Sequence, residues 1–144
     1  MTLEQKHLLG DEWVDDGTHV FESVSPVTGR VLWQGPAAGV DQISLAVMAA
    51  RGAFYDWRRL SFAERASYVL RFIDRIEAQR DELAMVIHEE TGKPFWESKT
   101  EIATMIAKAA VSIKAYEERT GQRDAELGGD QLALTHRPIG CLLY

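Results

Sequence analysis

Residues Ile139-Gly140-Cys141-Leu142-Leu143-Tyr144 form an unbroken apolar run, and that run constrains the fold more than any other stretch. A strand that is apolar at every position is buried on both faces, mainly in parallel sheets covered by helices on both sides. Parallel neighbours are reached only through crossovers of a dozen or more residues, and nothing before residue 139 reads as a β-α-β unit. Six apolar residues on an unpaired edge would also invite aggregation. The run is therefore expected to be one strand of a sheet whose partners lie beyond residue 144, which makes this chain the beginning of a longer protein. The alternative is that it pairs with strands near the N-terminus.

The rest of the chain divides by its period. Residues 1–40 predict a β-rich start, a hairpin or meander, with glycines 10, 17, 29, 35 and 39 between short apolar pieces. Ser25-Pro26-Val27-Thr28-Gly29 has turn chemistry, because proline presets one backbone angle and glycine accepts a positive one. Residues 41–121 predict four helices. The first carries a stripe of Ile43, Val47, Ala50, Phe54 and Trp57, with Asp41 as N-cap. The second starts at a capping box, Ser61-Phe62-Ala63-Glu64, and its stripe is Phe62, Ala66, Val69, Ile73 and Ile76. The third runs from Asp81 to Glu90 and stops at Gly92 before Pro94. The fourth runs from near Phe95 to Thr120-Gly121, and its stripe is Ile102, Met105, Ile106, Ala109, Ile113 and Tyr116. Residues 128–144 predict strands: a turn at Gly128-Gly129-Asp130, an alternating strand Gln131–Arg137, and the apolar run.

Composition removes several classes of function. With 16 Lys and Arg against 22 Asp and Glu, the net charge is −6, which offers no electrostatic footprint for nucleic acid or an anionic membrane. The arginines at 58, 59, 65, 71, 75 and 80 are interleaved with Glu64, Asp74 and Glu77 and read as a mixed helix surface. No apolar run approaches the length of a membrane span, and the first residues lack the pattern of a secretory signal, so the cytoplasm is the expected compartment.

The search for chemistry yields little. No phosphate-binding loop, nucleophile elbow or zinc-protease motif is present. The histidines at 7, 19, 88 and 136 lack ligand spacing, and a single cysteine excludes a multi-cysteine zinc site. Cys141, inside the apolar run, reads as a buried structural thiol. Glu89 and Glu90 point about 100° apart on a helix and read as a solvated face. Lys93 reads as an exposed turn lysine, and Trp57, Phe62 and Phe72 as core.

Five words then occur in order. Leu8-Leu9-Gly10-Asp11-Glu12-Trp13-Val14 resembles the opening hairpin of the NAD(P)-dependent aldehyde dehydrogenases. Ser25-Pro26-Val27-Thr28-Gly29 is similar to that family's Asn-Pro-x-Thr-Gly turn, with serine in place of asparagine. Ala49-Ala50-Arg51-Gly52-Ala53-Phe54 with Trp57 resembles its first helix, and Glu90-Thr91-Gly92-Lys93-Pro94 is the most specific word. Arg137-Pro138-Ile139-Gly140 resembles the lead into the first coenzyme-domain strand. Within the family, Trp33-Gln34-Gly35, Leu60–Arg65 and Ser112–Tyr116 are most similar to the succinylglutamate-semialdehyde dehydrogenase branch, which serves bacterial arginine degradation.

The resemblance implies an α/β fold: a hairpin or meander, four helices, one strand of an oligomerisation projection, and the first strand of an incomplete Rossmann-like coenzyme domain. It also implies a reaction in which a semialdehyde is oxidised to a carboxylic acid with NAD or NADP, through a cysteine nucleophile, a water-activating glutamate and an oxyanion-binding asparagine. In the family those residues lie after the segment covered here. The resemblance therefore assigns no catalytic or coenzyme-binding residue in this chain, and no coenzyme is expected to bind the 144 residues alone. The long fourth helix borders the substrate entrance in the family, which points to Thr104 and Lys108 as substrate-binding candidates, the lysine suiting a dicarboxylate-like substrate. The implied partners are further copies of the chain or the remaining part of the same enzyme. The rival reading is a helical interaction or oligomerisation module, or a gene remnant, that kept the fold without the chemistry.

Overall fold

The structure, a computed structural model, describes residues 6–121 and 123–142, the side chains of Arg123 and Leu127 excepted. Two hairpins open the chain. Strands β1 (His7–Leu9) and β2 (Glu12–Val14) pair antiparallel, with Leu8 opposite Trp13. The turn between them uses Gly10 at φ 68°, a conformation that costs a β-carbon dearly and glycine little. Strands β3 (His19–Val24) and β4 (Val31–Ala37) form the second hairpin, with a register irregularity at Ser23/Val24. Its connecting turn is held from inside. Ser25 is buried, its Oγ accepts the Thr28 N–H at 3.3 Å, and the Gly29 N–H donates to the Ser25 carbonyl at 2.9 Å.

Four helices follow: α1 (Val40–Trp57), α2 (Phe62–Ala78), α3 (Arg80–Thr91) and α4 (Phe95–Arg119). Asp41, expected as the cap of α1, lies within its first turn, and Gly39 is the cap. The Gln42 side chain reaches back to accept the Gly39 N–H at 2.9 Å, the returning half of a capping box, while the glycine cap offers no side-chain acceptor of the kind expected from the aspartate. At α2 the expected box is present in full: Ser61 Oγ accepts the Glu64 N–H at 3.2 Å, and Glu64 accepts the Ser61 N–H at 2.7 Å. Helix α3 ends on Gly92 at φ 74°, the left-handed C-cap that glycine favours.

The core lies among α2, α3 and α4. Ile76, Ala84 and Ile102 are buried, and Ile73, Leu83, Ile87, Phe95 and Ile106 pack around them. Phe62 stacks face to face on Tyr116, with ring centroids 4.1 Å apart, and ties α2 to the far half of α4. Two aromatics expected in the core need correction. Trp57 is exposed, as are Ile43 and Val47 of the same stripe, and α1 contains no buried residue, because an amphipathic stripe is buried only where another element covers it. Phe72, read as core, is 64% exposed, on the face of α2 turned away from α3 and α4.

A third hairpin, β5 (Arg123–Leu127) with β6 (Asp130–Leu134), closes the described fold. Its two-residue turn is Gly128-Gly129, both at positive φ, the requirement of the tight turns that match strand twist. The strand expected over Gln131–Arg137 thus ends at Leu134. Residues 139–142 adopt no strand, and Leu143 and Tyr144 lie outside the described residues. A doubly buried strand takes its conformation from neighbours on both sides. The described residues offer none, since their strands form three separate antiparallel pairs.

Candidate functional site

Thr104 and Lys108 stand one turn apart on α4, and both are exposed. The Thr104 Oγ donates to the Thr100 carbonyl at 2.9 Å, an ordinary local bond of a helical threonine. No described residue forms an ion pair with Lys108, so its ammonium is available to an anion. The structure thus brings the two onto one solvent-facing helix surface, without enclosing them.

The motif Glu90–Pro94 is instead an internal joint. One oxygen of Glu90 accepts from the indole Nε1 of Trp33 at 2.6 Å and from the Ser23 hydroxyl at 2.7 Å. Glu89 accepts from the Arg30 guanidinium at 3.0 Å. These two carboxylates, expected on a solvated face, clip the β3–β4 hairpin to the end of α3. The one signal in the sequence was their adjacency at a helix end, which does not reveal a partner almost sixty residues earlier. Lys93 is likewise engaged: it bonds Glu101 and lies 3.8 Å from Glu97. The hydrogen bond to Glu101 holds its ammonium above the usual lysine pKa. At the start of α2, the bonds from Ser61 hold the Glu64 carboxyl below its usual range.

Two clefts flank the end of α1. One, of about 690 Å³, is lined mainly by apolar groups including Ala53, Phe54, Trp57, Leu60 and Tyr68, with Cys141 at its edge. Cys141 is exposed, which corrects its reading as a buried thiol: among the described residues, 139–142 join no sheet that would cover it. The other cleft, of about 400 Å³, is lined by Phe54, Arg58, Arg59, Arg137 and Pro138. The sequence reading treated the first two arginines as part of a mixed surface and did not single out Arg137.

Among the described residues no group of three His, Cys, Asp or Glu side chains converges to hold a metal. No helix in them is long and apolar enough to cross a membrane. They also do not fit a nicotinamide coenzyme, which sits at the carboxyl edge of parallel strands beside a helix N-terminus, whereas the strands here are antiparallel pairs.

The pattern of the aldehyde dehydrogenase family matches residues 13–144. The N-succinylglutamate 5-semialdehyde dehydrogenase of Chromohalobacter salexigens is 47% identical over 142 residues, 99% of this chain and 29% of that protein. The enzyme of the same name from Vibrio cholerae is 46% identical over 136 residues, 94% of this chain and 28% of its own length. Among solved structures, the P. syringae indole-3-acetaldehyde dehydrogenase AldA, in complex with NAD+, superposes with a TM-score of 0.85 at 27% identity, covering 97% of this chain and 29% of that one. Succinate-semialdehyde dehydrogenase from Burkholderia pseudomallei gives 0.79 at 30% identity, over 88% and 26%. The chain thus spans less than a third of the length of these relatives.

Proposed function

The chain belongs to the aldehyde dehydrogenase family, and from that premise we propose that it is the N-terminal part of an enzyme oxidising N-succinylglutamate 5-semialdehyde to the corresponding carboxylic acid with NAD or NADP. The observation that carries this reading is the sequence identity of 42–47% to dehydrogenases of that name along nearly the whole of this chain. The reaction belongs to bacterial arginine degradation and is placed in the cytoplasm. The 144 residues supply scaffold, not chemistry. The nucleophile, the water-activating carboxylate and the coenzyme cradle come from the remainder of the polypeptide, and the 144 residues alone are inactive.

Two physical features support that division of labour. The apolar face of α1 and the apolar residues Ile139 and Leu142, 92% and 64% exposed, are surfaces a longer chain would cover. The helical part, residues 41–121, already has its own core and forms the platform on which a coenzyme domain rests. Within that whole, Thr104 and Lys108 face the substrate entrance, where the ammonium attracts a substrate carboxylate.

The test is to sequence beyond the codon for Tyr144 and assay the product of the complete reading frame. Reduction of NAD or NADP that depends on N-succinylglutamate 5-semialdehyde, with succinate semialdehyde a poorer substrate, is the expected result. A stop codon at that point, or a complete product that oxidises no semialdehyde, would overturn the assignment in favour of a non-catalytic module.

A further inference from the structure

The cleft between the end of α1 and the segment leading out of β6 carries chemistry that the dehydrogenase reading does not use. Three of its five lining residues are arginines, Arg58, Arg59 and Arg137, and no carboxylate lines it. This is unexpected in a chain of net charge −6, in which two other arginines are neutralised by carboxylates. Arg80 pairs with Glu77 at 2.6 Å and Arg30 with Glu89 at 3.0 Å.

The three differ in how they are held. The Arg58 guanidinium lies 5.2 Å from the Tyr55 ring centroid and 5.8 Å from that of Phe54. A cation–π contact of this kind takes up none of the N–H donors, which stay available to a planar or tetrahedral oxyanion. Arg59 has one weak partner, Asp56, at 4.0 Å with both side chains in water, which commits it little. Arg137 pairs with no carboxylate among the described residues. Phe54 and Pro138 supply an apolar wall that limits screening of the charge. Two terms oppose an anion here, the Asp56 carboxylate and the half-negative carbonyl end of α1; three full positive charges outweigh them.

We propose that this cleft binds a small oxyanion carrying two negative charges, a phosphate or a dicarboxylate, through the in-plane donors of Arg58, Arg59 and Arg137. Guanidinium forks take both kinds of group bidentately, so the shared chemistry is a doubly charged oxyanion. The volume of about 400 Å³ admits a small molecule and excludes a folded partner. The site is separate from the exposed α4 face of Thr104 and Lys108.

The test is titration calorimetry on the product of the complete reading frame, with inorganic phosphate in one arm and succinate in the other, at low and at moderate salt. The expected result is saturable one-to-one binding in at least one arm, weakened at least about fivefold by Arg137→Gln and again by Arg59→Gln, and weakened by added salt. Arg75→Gln, on α2 away from the cleft, should leave it unchanged. Whichever arm binds more tightly identifies the source of the anion. Non-saturable binding, or equal binding by Arg137→Gln and the parent, would overturn the proposal. Aldehyde oxidation by the same preparations separates the two readings: a preparation that is fully active yet binds neither anion refutes the cleft alone, and one that binds without oxidising refutes the dehydrogenase alone.

Discussion

Replacing Glu90 should detach the β3–β4 hairpin from the helices, and the loss can be worked from its two bonds. One carboxylate oxygen accepts from the Trp33 indole at 2.6 Å and from the Ser23 hydroxyl at 2.7 Å. A hydrogen bond to a charged group contributes about 1.5–3 kcal/mol. Glu90 is exposed, so solvent competes and the lower end applies; Glu90→Ala should cost about 2 kcal/mol. Glu90→Gln keeps an acceptor of the same shape and loses only the charge assistance, about half of that. Trp33→Phe removes the indole donor while keeping an aromatic ring beside Phe21, 5.0 Å away edge to face. A double-mutant cycle of Glu90→Ala with Trp33→Phe, read from urea unfolding of the helical circular dichroism, should give a coupling of about 1 kcal/mol. A coupling below about 0.3 kcal/mol, within the range of independent sites, would refute the clip and return Glu90 to the solvated face first expected for it.

Other substitutions follow from the same geometry. Ile102→Ala empties the centre of the core, where Ile102 is 1% exposed, and should cost about 3–4 kcal/mol by chemical denaturation; a loss under about 1 kcal/mol would mean that α2, α3 and α4 do not share that core. Gly92→Ala forces a β-carbon to within 3.0 Å of a Val27 methyl and 3.2 Å of Pro26 at φ +74°, and should lower stability by about 1–2 kcal/mol, which the urea midpoint would show. Because folding lowers the Glu64 pKa from the ordinary 4.5, its contribution is fully present above that value and is lost as pH falls through the lower folded value. Ser61→Ala removes the hydroxyl that donates to the Glu64 carboxylate at 2.7 Å and accepts the Glu64 N–H; it should flatten that acid limb of helicity and, at neutral pH, cost about 1 kcal/mol.

The elements that were legible in the sequence are those whose causes are local. The box at Ser61 and Glu64, the stop at Gly92 and Pro94, and the stripe through Ile73, Ile76, Ile102 and Ile106 each depend on residues a few positions apart. The substrate candidates Thr104 and Lys108 came from likeness to a family, not from a local signal, and their exposed placement on α4 neither encloses nor excludes a substrate. What was not legible depends on distant partners. Glu90 finds Trp33 across 57 positions, and Arg137 lines one cleft with Arg58 and Arg59 only because the chain returns past the end of α1. β5 escaped notice because Arg123-Asp124-Ala125-Glu126-Leu127 is largely charged. Only the paired glycines at 128 and 129 signal a hairpin there. The stripe of α1 is legible as a pattern, but Trp57 within it is not core as expected, because periodicity records what a helix is built to cover and not whether the cover is at hand.

That open stripe gives the two rival readings of the chain a measurable difference. A folded monomer of 16.2 kDa exposes about 7,500 Å², yet this chain exposes 11318 Å². The excess, close to 3,900 Å² on one molecule by that scaling, is larger than one partner's share of even a large obligate dimer interface, about 2,500 Å². Self-association of a stand-alone module through one ordinary interface would leave much of it bare, whereas packing against a further domain of the same polypeptide can cover it. Hydrogen exchange measures the difference directly. In the 144-residue chain, the α1 amides should exchange within the low-stability range of a helix with no buried residue, while those around Ile76 and Ile102 are protected close to the global limit. In the product of the complete reading frame the α1 amides should gain protection and join the core. Full protection of α1 in the short chain would instead establish a self-sufficient module and remove the surface argument for a missing domain.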